Sequence, residues 1–248
     1  MKVQIGAETA TIPLSDREAA LERHEYKDPR TGRVMPFSVT DIVRAYQDGD
    51  LLGAGAAAAT KLGPGYREIW DESGNRGTRI HLGIGDWANG RPTNVLDGDW
   101  PYYQAFRAFC DSMHPEWLET ERPCISARGV GGRFDLFGYL DGLYTLIDIK
   151  TGKEYHNELA LQCAGYASMD GMLTFDAEGN ATGVEPLPHI ERWCGLYLNE
   201  EGTAKLIEVP RPERGDKRTR EERQRDAIVA FNHLLEVRKW ARPTKREK

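Results

Sequence analysis

Cysteine is scarce in this sequence of 248 residues, and long apolar runs are missing altogether. Only four cysteines are present, which excludes a disulfide-dense secreted scaffold. No stretch reaches the roughly 18 consecutive apolar residues of a membrane span, and residues 1–16 lack the apolar core of a signal peptide. A G-x-x-x-x-G-K-[ST] phosphate loop is also missing, so we expect no ATP cofactor. These absences predict a soluble protein of a reducing cytoplasm with no membrane partner.

The composition is that of one folded domain with an uneven distribution of charge. Hydrophobic residues make up 40% and charged residues 29%, which excludes a wholly disordered or fibrous chain. The length predicts a single domain over 1–248 with an N-terminal part (1–75), a core (76–210) and a basic C-terminal helix and tail (211–248). The last segment holds 13 basic and 7 acidic residues. Such a segment is compatible with a polyanionic partner and is also typical of a solvated face.

Apolar periodicity predicts most of the helices and two hairpins. Residues 1–38 are expected to form short strands and loops, with a ribbon over 24–34. Helical spacing and capping residues favour helices at the following ranges: 38–46, 50–62, 74–89, 99–114, 157–169 and 217–240. Alternating apolar residues favour a first hairpin over 132–150 and a second over 190–199 and 203–209.

The first hairpin turns at Asp141-Gly142, a dipeptide typical of two-residue loops. This loop sets a register in which Asp135 lies opposite Asp148. Two opposed carboxylates have Cβ atoms about 4.5–5.5 Å apart and repel each other, so a cation is expected between them. A divalent cation with oxygen ligands fits this pattern. The alternative is a solvated face on which the acidic side chains are incidental.

Alternation of side chains assigns the remaining hairpin residues to two faces. Arg133 and Lys150 oppose each other and share the face of the two aspartates. The other face is expected to be fully buried and carries Phe134, Leu136, Leu140, Leu143, Ile147 and Ile149. The helix that follows the hairpin places Gln162 and Tyr166 on one side, four residues apart.

Four sequence blocks resemble the motifs of a known enzyme family. In chain order they are Gly77-Thr78-x-x-His81, Gly132-x-x-Asp135, Asp148-x-Lys150-Thr151-Gly152 and Gln162-x-x-x-Tyr166. Their order and spacing resemble the PD-(D/E)XK nuclease superfamily, and within it the RecB-type exonuclease branch, which includes phage and CRISPR-associated nucleases. The resemblance implies an α/β fold with a restriction-endonuclease-like core, in which helices flank a mixed central β-sheet.

The resemblance also implies a metal site. Asp135 and Asp148 would bind Mg²⁺ or Mn²⁺ through their carboxylates, the backbone carbonyl of Ile149 would add a ligand, and His81 would complete the set. Relatives can carry a further acidic residue upstream of the first aspartate. Glu121 is in the corresponding region, and Glu119 is an equal candidate.

Three further residues receive catalytic roles from the resemblance, together with Asp135 and Asp148. Lys150 would position or activate the attacking water and stabilise the charge that develops on the phosphorus centre. Gln162 and Tyr166 would orient the substrate backbone.

Some relatives hold an iron–sulfur cluster with four cysteines. The cysteines of this chain lack the C-x₂-C spacing that such clusters use. We therefore predict no iron–sulfur cluster and expect these residues to be buried free thiols: Cys110, Cys124, Cys163 and Cys194.

These observations predict a metal-dependent deoxyribonuclease that hydrolyses DNA phosphodiester bonds. An exonuclease of phage-type recombination or DNA processing is favoured, which would act in the host cytoplasm if the chain is phage-encoded. A structure-specific endonuclease and a non-cutting DNA-binding subunit on the same fold are the alternatives. DNA is the expected partner; a homo-oligomer and a single-strand-annealing or recombination partner stay open.

Overall fold

A computed structural model describes residues 14–44, 46, 66–93 and 95–241. The helices are α1 (Asp16–Arg23), α2 (residues 39–44), α3 (Tyr66–Ala88), α4 (Trp100–Met113), α5 (His156–Ala167) and α6 (Arg220–Ala241). The strands are β1 (Phe37–Ser38), β2 (Glu116–Ser126), β3 (Val130–Leu140), β4 (Leu143–Lys150), β5 (Gly171–Phe175), β6 (Ala181–Pro186), β7 (Arg192–Leu198) and β8 (Ala204–Val209).

The eight strands form one mixed sheet. Seven of them follow the order β6-β5-β2-β3-β4-β7-β8, and the short β1 pairs with β3. The β1–β3 and β4–β7 pairs are parallel, whereas the other neighbours are antiparallel. This confirms the expected α/β architecture with a mixed central sheet flanked by helices.

Helices pack on both faces of this sheet. Consecutive strand residues alternate between two apolar clusters: Leu146 packs in the cluster that contains α5 and α6 residues, and Ile147 packs in the one that contains α3 and α4 residues. On the first face, Phe231 of α6 contacts Gly165 of α5 so closely that an added Cβ would lie 2.7 Å from the ring. A glycine at this position therefore lets α6 hold α5 against the sheet.

Several predicted elements are confirmed with shifted ends. The first hairpin turns at Asp141-Gly142, and the second is formed by β7 and β8. The helix expected over 74–89 is part of the longer α3, and the helix expected over 217–240 begins at Arg220. The predicted helix over 50–62 lies outside the described residues.

The expectation of only strands and loops before residue 38 is wrong. Residues 16–23 form α1, because Ser15 and Glu18 make a reciprocal capping box in which each side chain bonds the other's backbone N–H. The predicted ribbon over 24–34 is reduced to one bridge between Lys27 and Val34.

Three strands have no counterpart among the predictions: β2, β5 and β6. In the eleven residues of β2, only the last four are buried, so its first part carries no clear apolar alternation. The strand nevertheless lies inside the sheet between β5 and β3. Its place depends on backbone pairing with β3, which follows directly in the chain, and with the much later strand β5.

The two longest helices are α3 with 23 residues and α6 with 22. Both carry charged side chains along their length. Across the described part of the chain, none of the helices combines the length and the apolar character that crossing a bilayer requires.

Replacing Phe231 with alanine should lower the free energy of unfolding by about 3–5 kcal/mol, because the side chain is fully buried and packs against Gly165 of α5. Val229→Ala, on the exposed side of the same helix, should change it by less than about 0.5 kcal/mol. Urea denaturation of both variants measures the difference, and equal stabilities would contradict this packing.

Candidate metal centre

The candidate site lies where strands β3 and β4 separate. Their ladder follows the predicted register from Leu140–Leu143 to Leu136–Ile147 and then stops. The next residue, Asp135, accepts a hydrogen bond from the backbone N–H of Ile149 on its Oδ2 atom at 2.7 Å. Its carboxylate thus takes the place of a backbone acceptor and forms a fork between the strands.

Because β3 and β4 separate here, the residue pairs that were predicted beyond the end of the ladder are wrong. Asp135 and Asp148 are not ladder partners, and neither are Arg133 and Lys150. Arg133 instead reaches Glu121 on the opposite neighbour, β2, with 2.8 Å between its Nε and the Glu121 Oε2. The same guanidinium donates to the backbone oxygen of Leu21 at 2.9 Å.

Three side chains from three elements form a group that could hold a metal ion. His81 of α3, Glu121 of β2 and Asp135 of β3 each offer a ligand atom, and these atoms lie within 4.8 Å of one another. His81 Nδ1 is 3.2 Å from Asp135 Oδ2. One nitrogen and two carboxylate ligands suit Mn²⁺ and also Mg²⁺.

The ladder between β2 and β3 favours Glu121 over Glu119. Thr120 pairs with Leu136 and Arg122 with Phe134, so Glu121 lies opposite Asp135. Glu119 instead lies 3.6 Å from the guanidinium of Arg122.

Glu121 has three unusual structural features. Its φ is +47°, a left-handed conformation that non-glycine residues seldom adopt. Its buried Oε1 atom has no hydrogen-bond partner among the described residues. Helix α3 comes close at Gly85, where an added Cβ would lie 2.8 Å from the Glu121 Cγ. A buried carboxylate oxygen without a partner, beside His81 and Asp135, fits a bound cation.

Asp148 is close to this group without belonging to it. Its side chain is buried, and its Oδ2 lies 2.6 Å from the Nζ of Lys150. Together with His81 and Asp135 it lines a cavity of about 140 Å³, to which Lys150 also contributes. Metal binding by Asp148 and by the carbonyl of Ile149 stays a prediction.

A chain of hydrogen bonds connects Lys150 to helix α5. Lys150 Nζ donates to Gln162 Oε1 at 3.0 Å, and Gln162 Nε2 donates to the Tyr166 hydroxyl at 3.2 Å. Tyr166 is buried, and an added Cβ at Gly132 would lie 2.8 Å from its ring. The structure therefore brings the predicted residues of β4 and α5 together around the ammonium group of Lys150.

Burial and the neighbouring carboxylates shift the pKa values of the site residues. Burial raises the pKa of Glu121 to about 7, and the nearby Asp135 adds to the effect. Burial also raises the pKa of Asp148. Burial alone would lower the pKa values of His81 and Lys150, yet their aspartate neighbours hold both above the ordinary values. For Asp135, burial is outweighed mainly by His81, which lowers its pKa.

The four cysteines are buried and free, as predicted. Cys163 follows Gln162 on α5 and packs in the apolar cluster of that face. Burial raises the pKa of its thiol well above the ordinary value, so it is a neutral packing group.

Two of the contacts described above have no signal in the sequence. Arg133 and Glu121 lie on neighbouring strands, β3 and β2. The first half of β2 is polar, so the sequence does not predict that it forms a strand. The bond from Arg133 to Leu21 joins residues 112 positions apart. The first contact depends on the pairing of β2 with β3, and the second depends on the packing of α1 beside the sheet.

Comparison with known proteins adds a weak structural likeness. No family model matches the chain, and no curated protein matches it. One solved structure, described as "Crystal structure of SSO0001", is similar with a TM-score of 0.38 and 14% sequence identity. The similarity covers 89% of this chain and 83% of that chain. A likeness at this level carries no conclusion about family or function.

Mn²⁺ binding should tighten as the pH rises from about 6 to about 8. Glu121, with a pKa of about 7, and His81, with a raised pKa, must both lose their protons before they can bind a cation. We expect the affinity to increase at least about tenfold over this range, with release of protons. Isothermal titration calorimetry in buffers of different ionisation enthalpy measures both quantities.

Glu121→Gln should weaken Mn²⁺ binding at least about tenfold and flatten its pH dependence. The matched control is Glu119→Gln, two residues away on the same strand, which should leave both properties as in the unaltered protein. Equal effects of the two variants would contradict the assignment of Glu121.

Proposed function

We propose that this protein is a metal-dependent deoxyribonuclease with a PD-(D/E)XK core, and that it acts as an exonuclease. The observation that carries the proposal is the convergence of His81, Glu121 and Asp135 beside the Asp148–Lys150 pair. The sequence blocks that resemble the RecB-type branch supply all of these residues except Glu121, which lies on β2. The exonuclease assignment rests on that resemblance.

The donor set is suited to the chemistry of phosphodiester hydrolysis. A divalent cation, when bound, polarises the phosphate and lowers the pKa of a bound water. His81, Glu121 and Asp135 would hold this ion. Because the pKa values of His81 and Glu121 are both raised, protons compete with a cation for these two ligands.

Lys150 acts as a fixed positive charge in this proposal. Its pKa is raised, because Asp148 outweighs the effect of burial, so the ammonium is protonated near neutral pH. A protonated ammonium cannot accept a proton from water; it stabilises negative charge that develops on the phosphate. The contact with Asp148 and the hydrogen bond to Gln162 hold it in place.

Gln162 and Tyr166 support this arrangement from α5. Both polar atoms of the Gln162 amide form hydrogen bonds. Its oxygen accepts from Lys150, and its nitrogen donates to Tyr166. Both residues line the cavity that also contains Asp135 and Asp148. A phosphate in that cavity would lie within reach of the amide.

The test uses an end-labelled linear duplex and a closed circular DNA, each with Mn²⁺, with Mg²⁺ or with EDTA. We expect metal-dependent loss of the linear substrate only. Asp148→Asn and Lys150→Gln should each lower the rate at least about 100-fold, which is the usual cost of removing a group that stabilises the transition state. Asp111→Asn, an exposed acid on α4, is the matched control and should retain the rate.

The other outcomes select the alternatives. Cleavage of the circle would assign an endonuclease instead. DNA binding without cleavage under any metal condition would assign a non-cutting DNA-binding subunit. Metal-dependent cleavage that survives Asp148→Asn would place the reacting centre elsewhere in the chain.

A further inference from the structure

The cavity that Asp135 and Asp148 line is called the metal-side cavity. A second cavity adjoins it and shares three of its wall residues. It has a volume of about 390 Å³, and the metal-side cavity has about 140 Å³. The shared residues are Thr40, Lys150 and Gln162. A molecule whose phosphate lies beside Lys150 could therefore extend into the larger space without leaving the protein surface.

The walls of this second cavity are mostly apolar. Val43 of α2, Leu159 of α5 and the ring of Tyr197 on β7 contribute to them. Tyr155, just before α5, lies at the rim and is 54% exposed. Apolar walls with an accessible aromatic ring suit a flat heteroaromatic ligand, because every nucleobase has a π-face that stacks on such a ring.

The charged groups of the cavity suit a nucleotide. Lys153 lines it, is exposed, and makes no ion pair with a described residue, so its ammonium is available to a backbone phosphate. The neighbouring Glu154 is compensated by Lys205, with 2.6 Å between Oε1 and Nζ. Glu158 also lines the cavity.

We propose that this cavity binds an unpaired nucleobase next to the cleaved phosphate, so that the enzyme acts on single-stranded or frayed DNA. The proposal rests on the proposed nuclease function and names its substrate class. A base inside a duplex is stacked and paired, and it must leave the helix before it can enter a protein cavity. A strand whose bases are already free enters without that cost.

The test measures binding in EDTA, where a metal-dependent enzyme cannot cleave. Fluorescence anisotropy of a labelled single-stranded oligonucleotide and of a blunt duplex reports the two affinities. Tyr155→Ala should weaken single-strand binding at least about fivefold, because one stacked base is lost, and leave duplex binding unchanged. Tyr155→Phe, which keeps the ring, should restore the affinity.

Folding should tolerate the change, because the Tyr155 side chain makes no capping hydrogen bond to α5. Trp100→Ala, which removes a 44% exposed aromatic from α4 on the other face of the sheet, is the matched control and should not weaken binding. Equal affinities of Tyr155→Ala and the unaltered protein for the single strand would overturn the proposal. Equal weakening for both DNA forms would also overturn it.

Cleavage assays with Mn²⁺ separate this proposal from the nuclease function. Metal-dependent cleavage combined with no effect of Tyr155→Ala on binding would refute the base cavity alone. A selective loss of single-strand binding in a protein that never cleaves would support the base cavity and refute the nuclease function.

Discussion

The hydrogen bond from the Ile149 N–H to the Asp135 carboxylate is the contact on which the candidate site depends. A buried N–H that loses its ladder partner would cost about 1–3 kcal/mol if nothing replaced that partner. The carboxylate replaces it and lets β3 and β4 separate. The same carboxylate faces His81. The strands can therefore open within the sheet at the point where a ligand set is needed.

Two carboxylates of the site form ion pairs with permanently charged side chains. Arg133 contacts one oxygen of Glu121, and Lys150 contacts one oxygen of Asp148. Among the described residues, Asp135 makes no ion pair with an arginine or a lysine and is faced by His81, whose charge depends on pH. Of the two carboxylates in the group that could hold a metal ion, Asp135 therefore has a pH-dependent partner and Glu121 has a permanent one.

The sequence predicted what depends on local signals. The Asp141-Gly142 turn predicts the register of the β3–β4 ladder, and the motif blocks contain His81, Asp135 and Lys150. Contacts that involve the unpredicted strand β2 were harder to predict. Glu121 could not be separated from Glu119, because only its place opposite Asp135 in the β2–β3 ladder distinguishes them.

Strict alternation also failed at Phe134. It was expected to share a face with Leu136, yet it packs with Phe137 and Tyr166 on the α5 side while Leu136 packs on the other. The irregularity lies beside Asp135, opposite the left-handed backbone of Glu121. Period-two patterns describe regular strands, and this strand departs from regularity at the site itself.

The contact between Phe231 and Gly165 has a consequence for biosynthesis. Helix α5 carries Gln162 and Tyr166, but its outer side is covered by α6, which lies more than 50 residues later in the chain. During synthesis, the ribosome therefore completes the strands and the motif residues well before α6, the helix that packs on α5. All candidate catalytic residues have therefore been synthesised before α6 is available to pack against α5. The site can reach its final structure only after α6 has docked.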